Sequence, residues 1–317
     1  KLIGVYGALY TTLFFAFLPS EINMVSVICT EIMITTIMLV IAYILLRDFK
    51  TGKVSKHAIF AGLLFGIGVT VRNSILFYLP AFLLYPLLLK KTKFKHRVKL
   101  SVLFLTGIIS FWLLFFAWHS IYFRTKSFNP FRTDEAFFYL SGTNKLSSGG
   151  WTEADATLYY SWPVKERSRR AKLEAWRRIK TDFKGFLLLI PRKYSRLFED
   201  NTYGSKWSIH YIDWQKWTIY PSLNEVSLTK INSLAAQIMY IFILFFAIFA
   251  FVKRPLHIVS FTALTLLLLT MAPHILIEVQ SRYHHALMPF FVLAAGYGMH
   301  ELFKKPEHQP TEEVEPA

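Results

Sequence analysis

Three features of this chain predict an all-α integral membrane protein, with about eight transmembrane or re-entrant helices and one large external loop. Hydrophobic residues fill 54% of its 317 positions, and the mean hydropathy is +0.36 although Lys and Arg number 36. Apolar segments long enough to enter a bilayer recur along the chain, and one polar stretch, residues 124–232, interrupts them. A water-soluble globular chain of this length rarely carries that pattern.

The apolar segments are 2–18, 22–46, 58–71, 75–89 and 100–123 before the polar stretch, then 234–252, 256–272 and 286–303 after it. The third and fourth hold about 15 residues each, a helical reach of about 22 Å against a hydrocarbon thickness of about 30 Å. That pair is expected to tilt into thin bilayer or to re-enter without crossing. Four regions result: N-terminal transmembrane helices in 1–123, an extracytoplasmic loop in 124–232, three C-terminal transmembrane helices in 233–303, and a disordered cytoplasmic tail in 304–317.

Orientation follows from cations in the short connections. Arg47, Lys50, Lys53 and Lys56 lie in one, and Lys90, Lys91, Lys93, Lys95, Arg97 and Lys99 in another. The positive-inside bias makes both cytoplasmic. Counting spans onward puts Lys253, Arg254, Lys304 and Lys305 inside as well. Connections 19–21, 72–74 and 273–285 then face outward with the large loop, in a multi-pass protein of the cell membrane. No signal peptide is visible, and a chain opening on Lys1 one residue from a span reads as a fragment.

Within the loop, residues 141–150 are rich in turn formers and predict an irregular surface segment. Residues 164–182 predict a basic amphipathic helix lying on the membrane, with Leu173, Trp176, Ile179 and Phe183 at one-turn spacing among Arg169, Arg170, Lys172, Arg177, Arg178 and Lys180. The run 186–190 ahead of Pro191 is expected to dip into the interface before a turn at 193–198. Trp207, Trp214 and Trp217 are expected at headgroup level. The plain alternative is a membrane-hugging cap with solvated charge.

Composition narrows the partners. The single cysteine, Cys29, leaves no disulfide framework or cysteine metal cluster. The net charge of +16 is assigned to membrane lipids rather than nucleic acid, since no nucleic-acid module is readable.

Charges within or beside apolar segments are more informative, because a charge in hydrocarbon costs at least about 2.5–3.5 kcal/mol at a helix centre and normally faces a bundle interior or a wet cavity. Glu31, Arg72, Glu278 and Arg282 come from three parts of the chain, and all fall on the outward half of the topology. Together they predict an outward-facing polar cavity. Singly, each has a plainer role: Glu31 bonding a neighbouring helix, Arg72 snorkelling, and Glu278 with Arg282 forming an i,i+4 ion pair. His284 and His285 adjoin Arg282, but neighbouring histidines without further ligands do not indicate a divalent metal.

The segment Glu278-Val279-Gln280-Ser281-Arg282-Tyr283-His284-His285-Ala286-Leu287-Met288-Pro289, running into an apolar helix, resembles the final Arg-Tyr…Pro helix of the GT-C glycosyltransferases. These are family 39-like membrane enzymes of the protein-mannosyltransferase and aminoarabinose-transferase type. Ala61–Gly68 followed by Arg72 is similar to their Gly-rich helix ending in arginine, and Thr30-Glu31 to their membrane Thr-Glu. Gly142-Thr143-Asn144, Gly149-Gly150 and the basic helix over 166–180 resemble the Gly-Asn loop and following helix of bacterial members. There are departures: Ala286 replaces the first of two prolines, and Asp182-Phe183 a frequent His-Pro.

The resemblance implies an inverting glycosyltransferase that moves a sugar from a polyprenyl-phosphate donor to a lipid, glycan or protein acceptor at the outer membrane face. It also implies a catalytic acidic residue upstream of Lys1, so this part alone is expected to lack activity. By the same resemblance, Arg72 and Arg282 would hold the departing phosphate, Tyr283 and Asn144 would orient sugar or phosphate, and Glu31, Glu278 and His284 would support them. The donor sugar and any cofactor are not specified. A multi-pass transporter or a non-catalytic scaffold of envelope polysaccharide assembly shares the outline. Against a transporter stand the lack of a repeat between the halves and of matching broken helices.

Overall fold

Apolar periodicity becomes helix throughout the computed structural model, which describes residues 3–27, 29–51, 56–88, 93–123, 136–210 and 225–304. No strand occurs among these residues. The N-terminal part runs α1 (Gly4–Ala16), α2 (Pro19–Met24), α3 (Thr30–Thr51), α4 (His57–Val71), a 3-10 segment (Asn73–Tyr78), α5 (Leu79–Leu88) and α6 (Phe94–Phe123). The polar stretch supplies α7 (Ala136–Gly142), α8 (Glu153–Ser161), α9 (Val164–Thr181), α10 (Phe183–Phe198) and α11 (Tyr203–His210). The chain closes with α12 (Glu225–Lys253), α13 (Ile258–His274), a 3-10 segment (Ser281–Leu287) and α14 (Met288–Phe303).

Four stretches are long and apolar enough to cross a membrane: Thr30–Asp48, Phe94–Phe123, Val226–Lys253 and Ser281–Phe303. Gly4–Ala16, His57–Val71, Asn73–Leu83 and Ile258–His274 are apolar but shorter. The segment expected to start at residue 22 is divided, because Pro19 initiates the separate helix α2 and α3 begins only at Thr30.

The core forms around α14, where Met288 to Val292 and Ala294 to Gly298 are buried against α12 and α1. Close approach depends on small residues. A Cβ on Gly298 would overlap the Phe246 carbonyl oxygen of α12. Likewise α4 and α6 cross with Gly62 beside Phe104 O and Gly107 beside Ile59 O, so neither position has room for a side chain. Phe65, Phe82 and Phe104 fill the space beside that crossing, with ring centroids 5.7–6.2 Å apart.

Two expectations for the loop are corrected. Pro191 does not end a helix: α10 continues through it to Phe198, so residues 193–198 are helical rather than a turn. Pro191 sits on the exposed side of the helix, while Phe186, Leu189, Lys193 and Leu197 bury the other side. The apolar stripe expected on α9 also splits. Ala171, Ala175 and Ile179 are buried, whereas Leu173, Trp176 and Phe183 face outward. Residues 141–150 are helical to Gly142 and then pass through turns. Trp214, Trp217 and most of the tail lie outside the described residues.

Candidate functional site

Helix ends gather the charged residues. Glu31 stands in the first turn of α3, and Arg72 caps α4 in extended conformation (φ −159°, ψ 118°). Arg282 lies in the 3-10 segment ahead of α14. Arg72 forms an ion pair with Glu31 through Nη1 and donates to Thr30 Oγ1 at 3.4 Å. Arg282 Nε lies 3.8 Å from the same Glu31 oxygen, Oε1. One carboxylate from one helix is therefore shared by two guanidiniums from two others.

Aromatic rings pack against both cations. Arg72 lies 5.1 Å and Arg282 5.6 Å from the Tyr283 ring centroid, so both cations stand against that one ring. Arg282 also stacks 5.4 Å from Tyr203 and donates Nη1 to its hydroxyl at 2.9 Å. Tyr203 in turn lies 5.6 Å from Trp207 on the same face of α11. The result is a ladder of cations and rings along one wall of a cavity of about 980 Å³. Thr30, Glu31 and Cys29 line its α3 side, Phe137, Phe138 and Trp151 close it from the loop, and Glu278 and Gln280 complete it.

Glu278 and Arg282 do not form the i,i+4 pair that their spacing allows. Residues 278–280 are not helical and Ser281–Leu287 is 3-10, so the two side chains do not stack as on an α-helix. Glu278 instead accepts from Gln280 Nε2 and, at 3.5 Å, from the Tyr283 hydroxyl. It is 1% exposed, and burial pushes its carboxyl above the ordinary carboxylate range. The lining thus holds two arginines and two carboxylates, and the ion-pair contacts of both arginines go to Glu31 rather than to Glu278.

A seam of backbone contacts holds Glu278 in place. Its amide donates to Phe138 O at 2.8 Å, and Val279 N donates to Gly149 O at 2.9 Å. Gly142 lies so close to Leu276 and Ile277 that a Cβ would overlap their backbone. Gly149 takes φ +77° directly over the Lys193 side chain. Lys193 is wholly buried and donates Nζ to Gly142 O at 2.7 Å and to Ile275 O at 3.0 Å. Desolvation lowers its amine to about 7.

The expected site residues thus separate. Glu31, Arg72, Glu278, Arg282 and Tyr283 share the cavity. Asn144 is not among the lining residues: it ties the loop, donating to Asp155 at 2.7 Å and accepting from Leu146 N. His284 points into the core, with Nδ1 2.7 Å from Leu197 O and its ring stacked 5.3 Å from Tyr240. His285 turns toward Glu21 at 3.4 Å, so the adjacent histidines diverge. Among the described residues no group of three or more potential metal ligands occurs.

Sequence reasoning missed Tyr203, Trp151, Phe137 and Lys193. Tyr203 and Trp207 stand four residues apart, a helical spacing that signals a shared face. Lys193 carried no such signal. Comparison with protein-family models, with curated proteins and with solved structures returned no match to this chain.

Proposed function

We propose that this chain binds the carrier phosphate of a polyprenyl-phosphate sugar, as part of an inverting membrane glycosyltransferase acting on a lipid, glycan or protein acceptor. The observation that carries this proposal is the convergence of Arg72 and Arg282 on Glu31 in the aromatic-walled cavity. In such a transfer an acceptor oxygen or nitrogen attacks the anomeric carbon, the carbon–oxygen bond to phosphate breaks, and the acceptor proton passes to a base. The departing phosphate monoester gains charge. Guanidiniums already in place at a low-dielectric wall stabilise that charge more than water does.

Glu31 keeps the two arginines close together before any anion arrives, and both stand against the Tyr283 ring. Glu278, buried and engaged by neutral donors rather than by a guanidinium, holds Gln280 and Tyr283 in the cavity wall. The polyprenyl chain suits a cavity opening where apolar helices end.

The test is transfer from a labelled polyprenyl-phosphate sugar by the full-length protein in vesicles. Arg282→Ala is expected to lower transfer by about 10²–10³-fold with membrane insertion intact. Unchanged turnover removes Arg282 from the site. Sugar crossing the vesicle without donor consumption would establish the transporter class instead.

A further inference from the structure

The outward faces of α9 and α10 serve no part of the cavity. α9 packs on α7 and α8 through the small residue Ala171 and on Phe186 and Leu189 of α10 through Ile179. Its opposite face exposes Leu173 (58%) and Trp176 (55%) beside Arg169 and Lys180. Lys180 Nζ lies 5.3 Å from the Trp176 ring. α10 continues this surface with exposed Phe183, Leu187 and Leu188 beside Lys184. Five large apolar side chains are thus displayed where a soluble domain places polar groups.

We infer that this surface seats on the anionic headgroup layer of the membrane that the long apolar helices cross, and so fixes the cap over the cavity. This inference rests on that membrane-crossing reading. Three observations select lipid as the occupant. First, α10 is anchored at the end of an apolar helix: Tyr194 donates to Met271 O at 3.2 Å, and Phe186 and Leu189 pack with Ile275 just beyond α13. Second, α13 and the segment after it, against which α10 is anchored, themselves expose Leu268 and Leu276.

Third, the charge suits an anionic layer. The acids of α9, Glu166 and Glu174, already pair with Arg170, Arg177 and Arg178. Arg169 and Lys172 have no ion-pair partner among the described residues. Large apolar side chains that enter the acyl boundary, ringed by cations that reach phosphate, are what an interfacial helix requires.

A polarity-sensitive fluorophore on Leu173→Cys or Leu188→Cys in a Cys29→Ser background tests the inference. A reference probe at Ile109→Cys, half exposed midway along α6, reports insertion itself. In phosphatidylglycerol-containing vesicles the α9 and α10 probes are expected to shift to the blue and be quenched by nitroxide-bearing lipid. Both effects should weaken in purely zwitterionic vesicles, in high salt, and in Lys172→Glu/Lys180→Glu/Lys184→Glu. A quenched reference with wet probes on α9 and α10 overturns the docking surface alone. A wet reference overturns the membrane-crossing reading and the inference with it. Equal quenching in both lipids, insensitive to the charge reversals, overturns the anionic selectivity.

Discussion

At the charged wall, Glu31 is answered by two guanidiniums that remain 25% and 31% exposed, whereas at the loop seam Lys193 is wholly buried and its hydrogen bonds go to carbonyl oxygens. Both regions bury charge, but only the first borders open volume. An arginine that keeps part of its surface in a cavity can exchange a protein carboxylate for a ligand anion. A lysine with two backbone acceptors and no exposed surface holds chain to chain. Buried charge by itself therefore does not mark a binding site, and the open side of the charge decides.

The contrast can be broken most severely at the seam. Gly142→Ala drives a methyl group into the Leu276 and Ile277 backbone, which has no alternative rotamer, and is expected to destabilise the fold by about 3 kcal/mol. Chemical denaturation in detergent measures it, and a loss within error would mean that the seam yields. At the wall, Glu31→Gln leaves Arg72 and Arg282 facing each other uncompensated. Because both arginines are partly exposed, the expected loss is about 2 kcal/mol, less than for a fully enclosed pair. Added inorganic phosphate should restore part of that stability in Glu31→Gln and none in Gly142→Ala.

Lys193 gives the seam a pH signature. Its amine is lowered from 10.5 to about 7 on folding, so between these values the unfolded chain binds the extra proton. Stability from this group is fully present above pH 10.5 and is lost as pH falls through about 7. The slope reaches at most about 1.4 kcal/mol per pH unit. Subtracting the profile of Lys193→Met from that of the unaltered protein should isolate this slope, and parallel profiles would show that Lys193 keeps its ordinary affinity for protons. The smallest effect belongs to Arg177→Ala. Its side chain pairs with Glu174 at the surface of α9, in neither region, and its loss should leave the melting temperature unchanged.

How much of the site was legible depended on where each residue stands in the chain. Glu31 and Arg72 stood out because apolar neighbours make a charge expensive, and that cost is visible in one dimension. Lys193 sits among Arg192, Tyr194 and Arg196, where a cation looks solvated; only the approach of Gly142 and Gly149 shows that it is enclosed. Asn144 and His284 had the chemistry of site residues, yet Asp155 and Leu197 take up their hydrogen bonds. Trp207 looked like a headgroup marker, and Tyr203 with Arg282 draws it into the cavity wall.

From the sequence alone came the helical class, the long apolar stretches and the set of charges that lipid cannot accept, because hydropathy and the cost of burying charge act residue by residue. The tertiary structure alone decided which of those charges meet. A break at Arg72 and a 3-10 path through Arg282 turn two guanidiniums onto Glu31, while Glu278, four residues from Arg282, is aimed elsewhere. Local spacing predicts a partner only while the helix is regular, and here the backbone leaves regularity at the positions where the site is assembled.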